Sequence, residues 1–200
     1  MERLLGLSLL LCLPGTLGQI SQCDSSKGSI HQFTDNALAD NRTVGLGRTP
    51  QYFGLNALVQ EHGRYFDIIG YPCNQFGLQE PGENATEIFA GLKFVRPGKG
   101  FQPNFILMAK TEVNGPNENP VYTFLKSACP PATETIGDPK RLFWTPIKVN
   151  DITWNFEKFL LDHFGRPRYR VASAVNPLDP RVKELVSNLV SQARLGNQSY

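Results

Sequence analysis

The chain has 200 residues, of which 40% are hydrophobic and 19% charged, and its formal net charge is +2. This length and composition indicate one globular domain with an ordinary core and exclude a disordered chain. The net charge is small, and the sequence has no basic run or basic helix face that would bind nucleic acid or an anionic membrane. We expect neither partner.

The beginning of the chain has the pattern of a secretory signal peptide. A charged start precedes an apolar block that is too short to span a bilayer as an uncleaved anchor, and Thr16 and Gly18 are the small residues before a cleavage point. We therefore expect residues 1–18 to be removed and 19–200 to form a secreted, extracellular domain with no membrane segment.

Glycan acceptors and cysteines fit that compartment. Three Asn-x-Ser/Thr sequons, at Asn41, Asn84 and Asn197, are candidate sites for N-linked glycan, so a glycoprotein is expected. Once Cys12 leaves with the signal, three cysteines remain, at positions 23, 73 and 129. An odd number outside the cell implies one free thiol or an intermolecular disulfide, and the sequence does not say which.

Hydrophobic spacing predicts the first elements. In chain order these are an extended segment over 19–32, a helix over 51–63, a strand over 66–71, a helix over 84–94 and a strand over 105–108. Gly63 is a good end for the first helix. The stretch 96–103 has too many Gly and Pro residues for anything but a loop.

The second half predicts a helix from Pro120, a hairpin formed by strands 154–161 and 169–171, and a long final helix. Asp179 caps that helix, and Gly196 ends it. Because strands alternate with helices and the chain ends in a hairpin plus a helix, the fold class is α/β, a mixed sheet flanked by helices.

Polar residues follow the strand predicted over 66–71, at the position where α/β folds meet ligands. On pattern alone, Asn74 and Gln75 are as readily a turn that satisfies its own backbone. Likewise Cys73 reads as a small buried residue, and Trp154 as a core aromatic residue beside a cap. The histidines and cysteines have no metal-ligand spacing, so no metal site is expected.

Two motifs resemble the glutathione peroxidase family. They are Tyr-Pro-Cys-Asn-Gln-Phe-Gly-Leu-Gln-Glu-Pro-Gly over 71–82 and Trp-Asn-Phe-Glu-Lys-Phe-Leu over 154–160. The loop 96–105 and the run 142–149 resemble the longer, secreted, tetrameric members. The resemblance covers most of the chain, and it implies a thioredoxin-like fold, a homotetramer and reduction of hydrogen peroxide and organic hydroperoxides by a thiol, usually glutathione.

The resemblance also implies the site residues. In the family a selenocysteine or cysteine attacks the peroxide, and the Gln, Trp and Asn around it are matched here by Gln75, Trp154 and Asn155. Their neutral N–H donors can hold a chalcogen anion and stabilise an oxyanion leaving group. Arg96 and Arg170 fall at the expected pocket mouth, where arginine would bind the carboxylates of glutathione. No further cofactor is implied.

The chain departs from the family where the nucleophile belongs. Family members have a strand of the type Val-Asn-Val-Ala-Ser, then the nucleophile, then Gly-Leu-Thr, ahead of a Gln-Tyr pair. Counting back from Gln51, the nucleophile position falls on Leu46, which cannot attack a peroxide. The interval from Gly28 is also shorter by about one strand, roughly six residues. We therefore expect a lost central strand, an irregular segment over 34–50 and an unpaired edge on the strand at 66–71.

Two explanations of the departure are open. The chain is a catalytically silent relative that keeps the fold for binding or assembly, or a coding segment has been skipped because selenocysteine is encoded by a stop codon. The second is favoured, because the loss lies where that codon would be and the other site motifs survive. Cys73 is a weak substitute nucleophile. A disulfide isomerase is excluded, because the sequence has no Cys-x-x-Cys.

Overall fold

The computed structural model of the chain describes residues 19–33 and 48–196. The expected signal peptide, the sequons at Asn41 and Asn197, and the expected nucleophile position Leu46 lie outside these ranges, as does most of the segment expected to be irregular. Within them, residues 48–50 form a turn that leads into the first helix.

The helices lie where the sequence pattern predicts them. They are α1 (Gln51–His62), α2 (Ala85–Phe94), α3 (Pro120–Ala128) and α4 (Pro180–Gly196). Gly63 follows α1 at φ 57, a left-handed conformation that glycine adopts without strain. Asn84 caps α2 by accepting the N–H of Glu87 at 3.0 Å, and Asp179 accepts the N–H of Arg181 at 2.9 Å at the start of α4. No helix in the described ranges is long and apolar enough to cross a membrane.

The strands are shorter than the sequence predicts. They are β1 (Ile20–Gln22), β2 (Ile69–Gly70), β3 (Ile106–Leu107), β4 (Lys158–Leu161) and β5 (Pro167–Val171). The strand predicted over 154–161 begins only at Lys158, because Phe156 has a φ of 63 and this left-handed residue cannot continue a strand. The run 66–71 is mostly irregular and contributes only the two residues of β2.

The strands form two separate sheets. One is antiparallel with the order β1-β5-β4, and the other is the parallel pair β2-β3. In the described ranges β2 pairs with β3 alone, and the expected unpaired edge stays a prediction because the segment 34–47 lies outside these ranges. Strands β2 and β4, which belong to different sheets, both line one cavity. Mixed α/β architecture is therefore confirmed, but the described strands do not form one continuous sheet.

The largest cluster of buried aliphatic residues lies between α4 and the hairpin sheet. Val182, Val186 and Val190 on one face of α4 pack against Val171 and Ala172 at the end of β5. All five side chains are less than 5% exposed. A buried valine of this kind contributes about 1.5–3 kcal/mol of transfer free energy. This packing fixes the hairpin, and the segment 154–156 leads directly into β4.

A disulfide joins Cys23, just after β1, to Cys129, at the end of α3. Cys73 is the free, buried cysteine. Of the two alternatives left by the odd cysteine count, the structure therefore has one free thiol. The disulfide ties the N-terminal strand to a helix 106 residues away in sequence.

Candidate functional site

Gln75 lies on the loop after β2, and its side-chain amide is bound to the backbone of a neighbouring loop. Its Oε1 accepts the N–H groups of Val113 at 2.9 Å and Asn114 at 3.1 Å, and its Nε2 donates to the carbonyl of Asn114 at 2.9 Å. The thiol of Cys73 donates to the same Oε1 at 3.5 Å. The Gln75 side chain therefore joins two loops, and one of its two amide hydrogens is used in the bond to the Asn114 carbonyl.

Asn114 carries the connection onward to the segment with the tryptophan. Its Nδ2 donates to the carbonyl of Ile152 at 2.9 Å, and its Oδ1 accepts the N–H of Ile152 at 2.9 Å. Asn114 is fully buried, so these bonds lie in a medium where an unmade one would be costly. Gln75 and Trp154 are thus linked through Asn114 and a residue two positions before the tryptophan.

Trp154 and Asn155 contact the Gln75 loop directly. The Trp154 ring lies 5.8 Å from that of Phe76, between centroids. The Nδ2 of Asn155 donates to Oε1 of Gln79 at 3.1 Å, and its carbonyl accepts the hydroxyl of Ser173. The structure therefore brings Trp154 and Asn155 together with the loop that carries Gln75. Whether the three amide and indole groups converge on one reacting atom stays a prediction.

An open pocket of about 840 Å³ adjoins this network. It lies beside the N-terminal end of α1, and the residues that line it include two arginines, an amide, an indole and three hydroxyl groups: Arg48, Arg141, Gln79, Trp154, Thr133, Thr135 and Thr153. The Arg141 guanidinium carbon lies 4.9 Å from the centre of the Trp154 ring. Within the described ranges the indole N–H of Trp154 donates to no protein group, so it is free to bind a ligand.

The electrostatics of the pocket favour an anion. The start of α1 presents the positive end of a helix of 12 residues. Arg48 lies three residues before the first residue of that helix, and burial lowers the pKa of its guanidinium. Arg141 adds a second positive charge held on the tryptophan face. The arrangement can therefore hold a negatively charged oxygen or sulfur with the indole N–H as a neutral donor.

The two arginines expected at the pocket mouth lie elsewhere. Arg170 is fully buried, pairs with Glu157, and donates to the carbonyls of Cys129, Asn150 and Asp151. Because its donors bind protein groups, the prediction that Arg170 binds glutathione at the pocket mouth is wrong. The side chain instead joins β5 to the neighbouring loops. Arg96 follows α2 on the loop 96–103 and does not line this pocket.

Cys73 does not resemble a reactive cysteine. Its side chain is 6% exposed, and burial raises the pKa of its thiol to about 11. At neutral pH the group is therefore a protonated thiol, whereas the thiolate is the nucleophile. The sequence-based view that Cys73 is a poor substitute for the family nucleophile fits this environment.

Sequence reasoning missed three residues of the pocket: Gln79, Arg48 and Arg141. Gln79 belongs to the first family motif, four positions after Gln75, and its bond to Asn155 was not evident from spacing. Arg141 directly precedes the run 142–149, and Arg48 precedes Gln51 by three residues. No periodic signal marks any of them, because Gln79 and Arg48 lie outside the helices and strands and Arg141 ends a 3-10 helix of three residues.

Comparison with solved structures defines the class of fold. The crystal structure of T. cruzi GPX1 superposes with a TM-score of 0.51 over 83% of this chain and 97% of that chain, at 24% identity. This similarity supports the thioredoxin-like α/β fold expected from the sequence. The fold class predicted from the sequence is therefore confirmed.

Sequence comparison gives the family. The family described as glutathione peroxidase matches residues 19–126. Glutathione peroxidase 3 of Rattus norvegicus is 51% identical over 75% of this chain, and that of Bos taurus is 58% identical over 62%. The chain belongs to the glutathione peroxidase family. It spans 66% of the rat protein's length and 55% of the bovine protein's.

Proposed function

We propose that this chain is the scaffold of an extracellular peroxidase that reduces hydrogen peroxide and organic hydroperoxides with glutathione or another thiol. The observation that carries the proposal is the free indole N–H of Trp154 in a pocket at the N-terminal end of α1. The proposed enzyme needs a nucleophile at position 46, where the sequence has leucine.

Chain connectivity supports that position. Position 46 is two residues before Arg48 in the sequence, and Arg48 lines the pocket. A cysteine next to an arginine has a lowered pKa. The same environment would therefore produce the thiolate that peroxide reduction requires.

In the proposed reaction the thiolate attacks the terminal oxygen of the hydroperoxide, the O–O bond breaks, and an alkoxide leaves and takes up a proton to become an alcohol. The oxidised sulfur is a sulfenic acid, which one thiol converts to a mixed disulfide with release of water. A second thiol then restores the cysteine and leaves as the disulfide product. Trp154 and Asn155 would donate to the departing oxygen.

Secretion, glycosylation and assembly extend the proposal. The disulfide between Cys23 and Cys129 fits an oxidising compartment, which supports secretion after removal of residues 1–18. Phe94 and Val95, which precede the loop 96–105, are 63% and 57% exposed, and association into a homotetramer would cover such apolar surface. Elution of the secreted protein at monomer mass would count against the assembly.

The test compares the unaltered chain with Leu46→Cys, and uses Leu46→Ser as the matched control. Peroxide consumption coupled to glutathione oxidation is expected in Leu46→Cys alone. A folded Leu46→Cys without turnover contradicts the proposal. Inactivity of the unaltered chain is expected, because in the described residues two cysteines form a disulfide and the third is buried.

The second candidate is a catalytically silent protein that binds a partner. The observation that favours it is that the described part of the chain presents no accessible thiol. The two candidates differ in the Leu46→Cys experiment: a silent relative whose site has decayed gains no turnover from one restored residue.

A further inference from the structure

A cavity of about 550 Å³ lies between the two sheets and adjoins the proposed peroxide pocket, with which it shares Gln79. The strands β2 and β4 both line it, and apolar side chains of α1, α3 and α4 line the rest, among them Leu58, Leu125 and Val186. The cavity is therefore bounded by the edges of two sheets that do not pair with each other.

Among the described residues, the edge of β2 that faces away from β3 has no hydrogen-bonded strand beside it. The carbonyls of Ile68 and Gly70 accept the N–H groups of Ile106 at 3.1 Å and Met108 at 2.8 Å. Because backbone polar groups alternate sides along a strand, the N–H and C=O of Ile69 turn to the opposite edge. In the described chain they have no strand partner.

The same alternation applies to β4. The backbone groups of Arg168 in β5 and of Ala172 just after it bond Cys23 and Gln19, on the side of β1. Because backbone groups alternate sides along a strand, those of Val171 turn to β4. Val171 pairs with Lys158, which turns the backbone groups of Phe159 to the other edge. Phe159 lines the cavity, and β4 has only β5 as a partner among the described strands.

A third unmatched group lines the same cavity. The Oε1 atom of Glu80 is buried and has no hydrogen-bond partner. The amine of Lys158, which also lines the cavity, is already bound to Oε1 of Gln51 and the carbonyl of Val175. Among the described residues, the cavity therefore offers the backbone groups of Ile69 and Phe159 and one carboxyl acceptor, in largely apolar surroundings.

We propose that this slot between β2 and β4 binds an extended peptide segment, supplied by another molecule, as an added strand. An added strand can pair with backbone groups on both edges that line the cavity. The apolar lining selects β-branched apolar side chains and excludes charged ones, which would be buried without partners. An amide or hydroxyl side chain would donate to Glu80. This inference does not depend on peroxidase activity.

The experiment measures binding of a fluorescein-labelled, end-capped peptide, Lys-Thr-Val-Thr-Ile-Val-Thr, to the full chain by fluorescence anisotropy. The control peptide carries proline in place of the central threonine and so lacks one backbone donor. Saturable binding of the first peptide, weakened at least tenfold in the second, is the expected result. Equal binding of both peptides, or no saturable binding, overturns the proposal.

A pair of protein variants tests the edge itself. The Ile69 side chain is 51% exposed and its N–H is outside the β2–β3 ladder, so Ile69→Pro removes the slot donor with little loss of packing. Ile69→Pro should bind the peptide at least tenfold more weakly than Ile69→Val, with unchanged circular dichroism. If Ile69→Pro does not fold, the comparison of the two peptides on the unaltered chain still tests the proposal. A peptide-free dimer that refuses the peptide would assign the slot to a second copy and overturn the proposal.

Discussion

The Nε of Arg170 lies 2.5 Å from Oε1 of Glu157, and neither side chain is more than 2% exposed. Glu157 also accepts the N–H and the hydroxyl of Thr153 through its other oxygen. The pair therefore clamps both ends of the segment that carries Trp154 and Asn155. An arginine that sequence reasoning assigned to substrate binding instead holds the site's backbone in place.

We predict that Arg170→Ala destabilises the protein by about 3–5 kcal/mol, because it leaves the Glu157 carboxylate buried without its partner. Urea unfolding followed by tryptophan fluorescence measures the change. The double variant with Glu157→Gln should recover part of the loss. A matched control is Arg181→Ala, whose ion pair with Asp179 is exposed and should contribute at most about 1 kcal/mol. Equal effects of the two arginines would contradict the assignment.

The free energy of unfolding should pass through a minimum near neutral pH. Burial raises the pKa of Glu80 to about 8, so the folded state retains a proton that the unfolded state loses from about pH 4.5 upward. Stability therefore falls between pH 4.5 and 8. Burial, with Arg48 as a smaller cause, lowers the pKa of Lys158 to about 7, so stability rises again between pH 7 and 10.5. Each limb has a slope of at most about 1.4 kcal/mol per pH unit.

Two variants separate the limbs of that profile. Glu80→Gln should remove the fall on the acid side, and Lys158→Met should remove the rise on the alkaline side. Denaturant midpoints measured from pH 4 to 10 provide the readout. A profile of Glu80→Gln that still falls across pH 4.5–8 would show that another group is responsible.

Cys73 should be almost unreactive in the native protein. Its thiol is buried and its pKa is raised to about 11. In a Cys12→Ser background it is the one thiol outside the disulfide, so a chromogenic disulfide reagent should titrate one thiol per chain in denaturant and far less than one without it. Rapid native reaction at pH 7 would mean that the loop 72–77 opens readily.

Removal of the disulfide should cost about 2–5 kcal/mol. The disulfide closes a loop of 106 residues between Cys23 and Cys129. It stabilises the fold mainly because it lowers the conformational entropy of the unfolded chain, and this effect is larger for longer loops. The double variant Cys23→Ala/Cys129→Ala tests this by urea unfolding. Added reductant should lower the stability of the parent protein and leave that of the variant unchanged.

Asn84 should accept glycan in a secretory host, because it is exposed at the N-cap of α2. Asn84→Asp keeps the capping oxygen and removes the glycan acceptor, so electrophoretic mobility should increase with little change in stability. Asn84→Ala removes both and should destabilise the unglycosylated protein by about 1 kcal/mol. No mobility difference between Asn84→Asp and the parent would show that the sequon is silent.

The helices were predictable because local signals mark their ends: Gly63, Asn84 and Asp179 act through hydrogen bonds and φ values set within a turn. The strands were less predictable from the sequence. Strand length depends on neighbours distant in sequence, and Phe156 breaks a pattern that alternates well. The side-chain partners of Gln75 and Arg170 lie far away along the chain, so sequence reasoning identified the right residue types without knowing what they bind.

The bonds between Asn114 and Ile152 imitate a pair of strand ladder bonds, since one side chain takes both the N–H and the C=O of a residue that belongs to no strand. A segment without regular secondary structure is expected to exchange its amide hydrogens quickly. Here the N–H of Ile152 is bonded to a fully buried oxygen, and that of Thr153 is bonded to Glu157. These two amides should therefore exchange as slowly as those in the core of α4, which would mark the irregular segment before Trp154 as one of the most rigid parts of the chain.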